Sequence, residues 1–451
     1  MDAVDKVFDG KGWIAVYGTG YVGLALIAVY LRKGLKVIGV DIDPVKLEKI
    51  RQGAENAIEG KIKHAIRTGI EEDRLLLTTD GVKASADSVV KVVTVPVYLD
   101  WITKNVNYDS WTAALEDIGK GLKEGDLVII ESSVPPGSTE YKARPVLEEA
   151  SGLSAGRDFY LAYSPERVYV GRAVEDIENR YPKIVSGINE KSLELVSKLY
   201  EGIAKKGVLR VSRPITAEFE KLAEGVYRDV NIALANELAL AAMNLGVDFY
   251  EARKAANTQP YSHIHLPGPG VGGYCIPIYP YYLANSLLER KYIMKLTITG
   301  RQINENMPLI IANLLEEYRR KIGIPLSSKV AVLGVAFRGN IDDTRLSPTH
   351  DILGILKARG YQEIIAHDPY VKNDPILENL HIQLTSKLEE ALENAEIILV
   401  LTRHSQYKDL TTTHIKKITG RENPLIIDTT TYIKNNDNYK NIITLGKPHN
   451  L

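Results

Sequence analysis

The chain has 451 residues, 45% of them hydrophobic and 25% charged, with a formal net charge of -1. That is the balance of a globular protein with room for two or three domains, and it excludes the basic surface that sequence-independent nucleic-acid binding requires. A single cysteine excludes an internal disulfide and points to the cytoplasm. The polar start MDAVDKVFDGKG reads as neither a signal peptide nor a membrane helix.

Short apolar runs rich in Val and Ile, at 13–17, 36–40, 89–95, 127–130 and 159–163, read as buried strands. Helical patterns, such as 22–33 and 111–121, lie between them. Alternating strands and helices predict a parallel, doubly wound sheet. One long helix follows from 216 to 244, with Pro214 near its start and Gly246 just past its end. A helix at 249–257, a loop heavy in Gly and Pro at 267–280, and a helical stretch from about 282 to 321 come next, with a bend expected at Pro308. Strands return at 329–335, 363–367, 396–401, 424–428 and 441–445. The expected class is α/β: two doubly wound Rossmann-like domains, 1–212 and 325–451, joined by a central helical domain, 213–324, with one long helix.

Gly18-Thr19-Gly20-Tyr21-Val22-Gly23 follows the first strand and opens a helix. The first Gly permits a tight turn, the second admits a pyrophosphate, and the third lets helix pack on strand. The helix N-terminus adds free N–H groups and positive potential. Asp41 closes the second strand, eighteen residues past Gly23. A carboxylate there accepts from a ribose diol and repels a 2′-phosphate, so NAD is expected in preference to NADP.

Cys275 lies at the end of Pro267-Gly-Pro-Gly-Val-Gly-Gly-Tyr-Cys. A lone cysteine is usually a small buried hydrophobe, but a Gly-rich loop lets a ligand come close. NAD with a reactive thiol suggests oxidation through a thiohemiacetal and a thioester, chemistry that a simple alcohol dehydrogenase does not need. Lys221 and Arg228 are seven residues apart and share one face of the long helix, with Gly225 between them. The apolar sequence that follows argues that this helix is buried, and a buried Lys needs a partner carboxylate or a ligand. Ser164-Pro-Glu166-Arg167-Val168 and Glu131-Ser-Ser133 each follow a strand at the ligand-binding edge of such a sheet. The alternative for Glu166 and Arg167 is a surface ion pair, and for Asp342-Asp-Thr-Arg345 a polar turn. His263 and His265 lack the spacing of a zinc site, so no metal is expected.

The motifs GTGYVGL, ESSVPPG, SPERV, AEFEKL, RDVNIAL, NEL, PGPGVGGYCIP and GVAFRGNIDDTRLSP, in this order over nearly the whole chain, resemble the nucleotide-sugar 6-dehydrogenases, the family of UDP-glucose dehydrogenase. GPGVGGYCIP and RDVNIA are similar to the UDP-N-acetylmannosamine branch. The resemblance implies oxidation of a UDP-N-acetylhexosamine at C6 by two NAD, with Cys275 as nucleophile, Lys221 moving protons at the C6 oxygen, and Glu166 handling water. It implies cofactor contacts from Gly18, Gly20, Tyr21, Val22, Gly23, Asp41, Lys46 and Ser133, with Arg345 reaching NAD from the C-terminal domain. It implies substrate contacts from Arg167, Val168, Lys221, Gly225, Arg228, Asp229, Tyr261 and Gly272, with Phe337 and Arg338 reaching the UDP part. It also implies a homodimer or higher homo-oligomer through the central helix, and no nucleic-acid or membrane partner.

Some positions depart from the family pattern. Gly225 stands where the family has Asn, and Tyr279 where most relatives have Asp. Gln259 and Tyr261 replace His and Arg, and Thr94-Val95-Pro96 replaces Pro-Thr-Pro. Ile278 replaces the Lys of UDP-glucose enzymes, which argues against UDP-glucose. Three readings stay open: a UDP-N-acetylhexosamine dehydrogenase preferring the manno epimer over the gluco epimer, a UDP-glucose-type enzyme, and a non-catalytic nucleotide-sugar or NAD binder on the same fold.

Overall fold

A computed structural model describes residues 1–53, 59–288 and 290–449. The chain divides into two compact units, residues 1–224 with 282–292, and residues 225–281 with 293–451.

The first unit is built on an eight-stranded sheet. Its strands are β1 (Trp13–Tyr17), β2 (Lys36–Val40), β3 (Leu75–Thr78), β4 (Val90–Val93), β7 (Leu127–Ile130), β8 (Tyr160–Tyr163), β9 (Lys183–Gly187) and β10 (Val208–Arg210), with β5 (Tyr98–Leu99) and β6 (Val106–Asn107) forming a separate hairpin. The order is β10-β9-β8-β7-β4-β1-β2-β3. β1 and β7 are all but fully buried along their length, which is why they read as unbroken apolar runs, and β4 is buried too, with its Lys91 paired to Asp126. The expectation of a wholly parallel sheet needs one correction. β9 runs antiparallel to β8, and β10 follows β9 in parallel, so the far edge is reversed. Neither of these strands was read from the sequence, nor was β3 at the other edge; they span only five, three and four residues.

The core of this unit gathers Val16, Leu26, Ile27, Val29, Val92 and Ile129 around the helix Tyr21–Arg32. Only a residue without a side chain fits at Gly23, where an added Cβ would lie 1.9 Å from the Gly18 carbonyl oxygen. This is the close helix–strand approach that the third glycine of the motif permits.

The second unit carries a six-stranded, all-parallel sheet of β11 (Val330–Leu333), β12 (Ile364–His367), β13 (Gln383–Thr385), β14 (Ile397–Val400), β15 (Leu425–Asp428) and β16 (Ile442–Thr444), in the order β13-β12-β11-β14-β15-β16. The long helix spans Pro214–Leu245 and ends before Gly246, whose φ is 72°. At 32 residues it is about 48 Å long. The expected single helix from 282 to 321 is instead two, Tyr279–Asn285 and Lys295–Lys321. Lys291, at φ 55°, lies in the turn that separates them. Glu289, inside that expected helix, lies outside the described residues. The second helix runs through Pro308 without interruption.

Within the second unit a buried polar ladder joins the long helix to Lys295–Lys321. Arg301 donates to Asp229 Oδ1 at 2.6 Å, Asn304 Nδ2 donates to the same oxygen at 2.9 Å, and Asn236 donates to Asn304 Oδ1 at 2.9 Å. Burial pushes the Asp229 carboxyl up, to about 6, against the pull of Arg301. Breaking such a buried pair leaves an uncompensated charge and costs several kcal/mol. No described helix is long and apolar enough to cross a membrane.

Candidate active site

In the first unit the turn between β1 and its helix is shaped for a phosphate ligand. Gly18 has φ 92°, and a Cβ there would meet the Val95 nitrogen at 3.1 Å. Gly20 is the helix N-cap and provides no side-chain cap, while a Cβ on it would meet nothing within 4 Å. The first N–H groups of the helix are thus left for a ligand, in open space. Asp41, just past β2, accepts from the Thr19 N–H at 2.8 Å and the Thr19 hydroxyl at 2.7 Å, and Lys46 Nζ lies on the same oxygen at 2.5 Å. Burial pushes the Asp41 carboxyl up, but these hydrogen bonds outweigh it and hold it below the usual carboxylate range. Its Oδ1 accepts from the Asp43 N–H at 3.2 Å. Tyr21 begins the helix and donates from its hydroxyl to Glu59 at 2.5 Å. These residues fit a dinucleotide with an unphosphorylated adenosine ribose.

At the carboxyl end of β8, Glu166 is 7% exposed. Its carboxylate is bound by Lys183, which also donates to Glu131 at 3.0 Å. Tyr200 donates to the other Glu131 oxygen, and its hydroxyl lies 3.0 Å from that of Tyr30. Two carboxylates therefore share one ammonium away from water. Burial pushes Glu131 up against the pull of Lys183, and burial pulls Lys183 down. Glu131 entered the sequence reading only as the start of the Glu131-Ser-Ser133 motif, with no role of its own, and Lys183 and Tyr200 were absent from it. The available signal was a lysine opening the Val/Ile-rich run Lys183–Gly187, since a charge so placed needs partners.

Lys221 is half-buried, and its ammonium donates to the Glu166 carbonyl oxygen at 2.5 Å, so a backbone group is among its partners. Arg167 donates to the Pro182 carbonyl at 2.5 Å and lies 3.5 Å from Glu224. Val168 packs on the first core, and Ser133 is half-buried. Lys221, Glu166 and Arg167 are thereby brought together.

In the second unit the Cys275 loop is tied down at both ends. Gly268 N–H donates to Asn236 Oδ1 at 2.8 Å, and Arg403 donates to the Pro267 carbonyl at 2.9 Å. Gly273 N–H donates to the Arg345 carbonyl at 2.8 Å. A Cβ at Gly272 would lie 2.6 Å from Phe337 Cβ, and one at Gly273, where φ is 87°, 2.9 Å from the Phe337 ring. Arg345 pairs with Asp343 at 2.6 Å and lies over the Tyr274 ring at 5.3 Å. Cys275 itself is exposed. Gly272, Cys275, Phe337 and Arg345 thus cluster, with Arg338 half-buried beside Phe337. Asp229 is instead enclosed by Arg301 and Asn304, Arg228 is half-buried on the long helix, and Tyr261 is 92% exposed. Among the described residues no group of three or more His, Cys, Asp and Glu gathers as a metal site.

Three domains of one family match the chain: the NAD-binding domain over residues 13–204, the central domain over 215–306 and the UDP-binding domain over 331–435. The chain belongs to the UDP-glucose/GDP-mannose dehydrogenase family. It is an NAD-dependent nucleotide-sugar dehydrogenase, as the motif resemblance implies. It is similar to the UDP-N-acetyl-D-mannosamine dehydrogenase of Pyrococcus horikoshii, 37% identical with 93% of this chain and 96% of the relative covered. The enzyme of the same name from Methanocaldococcus jannaschii is 35% identical, with 95% and 94% covered. The solved structure of the Pyrococcus horikoshii UDP-D-ManNAc dehydrogenase superposes with a TM-score of 0.87 at 36% identity, covering 96% of this chain and 99% of that one.

Proposed function

We propose that the protein oxidises UDP-N-acetyl-D-mannosamine at C6 to UDP-N-acetyl-D-mannosaminuronate in the cytoplasm. The single observation that carries this reading is the tethered Gly-rich loop that presents an exposed Cys275 beside Phe337 and Arg345. The full-length similarity to enzymes of that name supports the choice of sugar.

The overall balance is one CH2OH group, water and two NAD giving a carboxylate, two NADH and three protons. Gly18 to Gly23, Asp41, Lys46, Ser133 and Arg345 would hold NAD, which would supply the hydride acceptor for both oxidations. Lys221 takes the C6 hydroxyl proton in the first oxidation, and its charge then stabilises the oxyanion that follows. The Cys275 thiolate adds to the aldehyde carbon, forming a C–S bond and a thiohemiacetal, which the second oxidation converts to a thioester. Glu166 takes a proton from the attacking water, the C–S bond breaks, and Cys275 is released. Lys183 keeps Glu166 oriented for that step, which fits the buried triad described above. Arg167, Val168, Arg228, Tyr261, Gly272, Phe337 and Arg338 hold or line the sugar nucleotide, whereas Asp229, enclosed by Arg301 and Asn304, and Gly225, packed against the Tyr279 ring, do not.

We assign 1–212 to NAD, 213–324 to the nucleophile and dimerisation, and 325–451 to the UDP-sugar. A dimer or higher homo-oligomer is supported by a stripe on the long helix. Tyr227, Leu234, Leu238 and Leu245 recur at spacings of seven, four and seven, and are 53%, 44%, 38% and 78% exposed. Leu238→Glu is expected to yield monomers by light scattering.

The test of the substrate is a panel of UDP-sugars with NAD. The reading expects the highest kcat/KM for UDP-N-acetylmannosamine. Turnover of UDP-glucose or UDP-N-acetylglucosamine without UDP-N-acetylmannosamine would overturn it.

A further inference from the structure

Gly225 lies inside the long helix, four residues after Lys221. Glycine is the least favourable helix-interior residue after proline, so its presence there calls for a packing reason. The reason is Tyr279. A Cβ added at Gly225 would lie 2.3 Å from Tyr279 Cδ2 and 3.2 Å from Cγ and Cε2. Those atoms include the root of the ring, and Tyr279 is 4% exposed, so the ring has nowhere to yield. The missing side chain at 225 is a notch, and the ring fills it.

The ring is coupled to the thiol through the backbone. Tyr279 N–H donates to the Cys275 carbonyl at 3.0 Å, and Ile278 N–H donates to the same oxygen at 3.1 Å. Ile278 is 1% exposed. Residues 275–279 therefore form one tight turn, with the exposed thiol at one end and two buried side chains at the other. The two sequence departures at 225 and 279 are one feature, because the ring at 279 fits only when 225 lacks a side chain.

We propose that Tyr279, seated in the Gly225 notch, is a positioning residue that fixes the Cys275 turn for attack on the aldehyde. This rests on the reading of Cys275 as nucleophile. A thiol held within a fraction of an ångström of its attack geometry needs a rigid support behind it, and here the support is an aromatic ring locked against helix backbone.

The test is a cycle of Gly225→Ala and Tyr279→Ala, with Tyr279→Phe as the conservative variant, each assayed for kcat, KM for the UDP-sugar, NAD affinity and Tm. Tyr279→Phe keeps the ring and is expected to keep kcat within about threefold. Tyr279→Ala is expected to lower kcat about tenfold or more, with KM and NAD affinity within about threefold. Gly225→Ala is expected to lower kcat about tenfold in the wild-type background and less than about twofold in the Tyr279→Ala background, because the obstructing ring is gone. Equal losses in both backgrounds, or a Tyr279→Ala enzyme within about twofold of wild type, would overturn the proposal. If Gly225→Ala does not fold, the two Tyr279 variants decide alone. A fully active Cys275→Ser enzyme would instead sink the nucleophile reading, so the two failures are distinguishable.

Discussion

The two sheets begin with the same construction and put it to different uses. In the first unit Gly18 N–H donates to the Val40 carbonyl at 2.8 Å; in the second, Gly334 N–H donates to the His367 carbonyl at 2.8 Å. Each second strand is followed by an aspartate, Asp41 or Asp368, that accepts from the loop after the first strand. There the likeness ends. Asp41 is half-buried, and its loop runs at once into a helix without a side-chain cap. Asp368 is fully buried and accepts from the Val335, Ala336, Tyr370 and Val371 N–H groups and from His404. Burial pushes it up, but those bonds outweigh it and hold it at about 2. Its loop runs thirteen residues further to a helix that Ser347 caps. One carboxylate is left for a ribose, while the other is consumed in bracing the loop that carries Phe337 and Arg345. The position of a residue in a topology does not give its job; the donors around it do.

The largest expected effect separates the units by chemistry. Cys275→Ser should lower the four-electron oxidation by on the order of 1,000-fold or more and leave NAD affinity unchanged by calorimetry, since the cofactor turn lies in the other unit.

Next comes the buried triad. Lys183→Met should lower turnover about 100-fold, while Lys183→Arg should recover part of it. Removing a cation raises the pKa of the carboxylates beside it, so the acid limb of the hydrolysis rate should move to higher pH, and rapid quench should show the enzyme-bound acyl species accumulating.

The paired aspartates then test the comparison itself. Asp41→Ala should weaken NAD binding about tenfold and narrow discrimination against NADP. Asp368→Asn should leave NAD binding untouched and destabilise the protein by about 2 kcal/mol at pH 7 in guanidinium unfolding. The sign follows from a folded pKa near 2 against an ordinary 3.8: the stabilisation is complete above pH 3.8 and lost as pH falls through 2. Equal effects of the two substitutions on NAD would break the comparison.

The smallest effect is at Gly20. A methyl there meets no protein atom within 4 Å, so Gly20→Ala should fold with an unchanged Tm and lose about fivefold in NAD affinity by crowding the pyrophosphate.

Much of this was legible in the sequence. The strands 13–17, 36–40 and 127–130 announced themselves through doubly buried Val and Ile, and the glycine spacing at 18–23 fixed the cofactor turn, because backbone geometry alone dictates both. The reversed strand β9 was not legible, since nothing in its five residues marks direction and the two carboxylates that hold Lys183 are 17 and 52 residues away. The break between 285 and 295 was missed for a related reason: no proline or glycine marks it, and the turn is made by Lys291 at positive φ. The kinship of Gly225 and Tyr279, 54 positions apart, needed coordinates, since shape complementarity leaves no periodic trace.

The most direct measurement of the central claim is NADH released per UDP-N-acetylmannosamine consumed, taken with the intact mass of the enzyme during turnover. The account predicts two NADH per sugar, a uronate product, and a covalent adduct that maps to Cys275. One NADH per sugar, with an aldehyde product and no adduct, would contradict it.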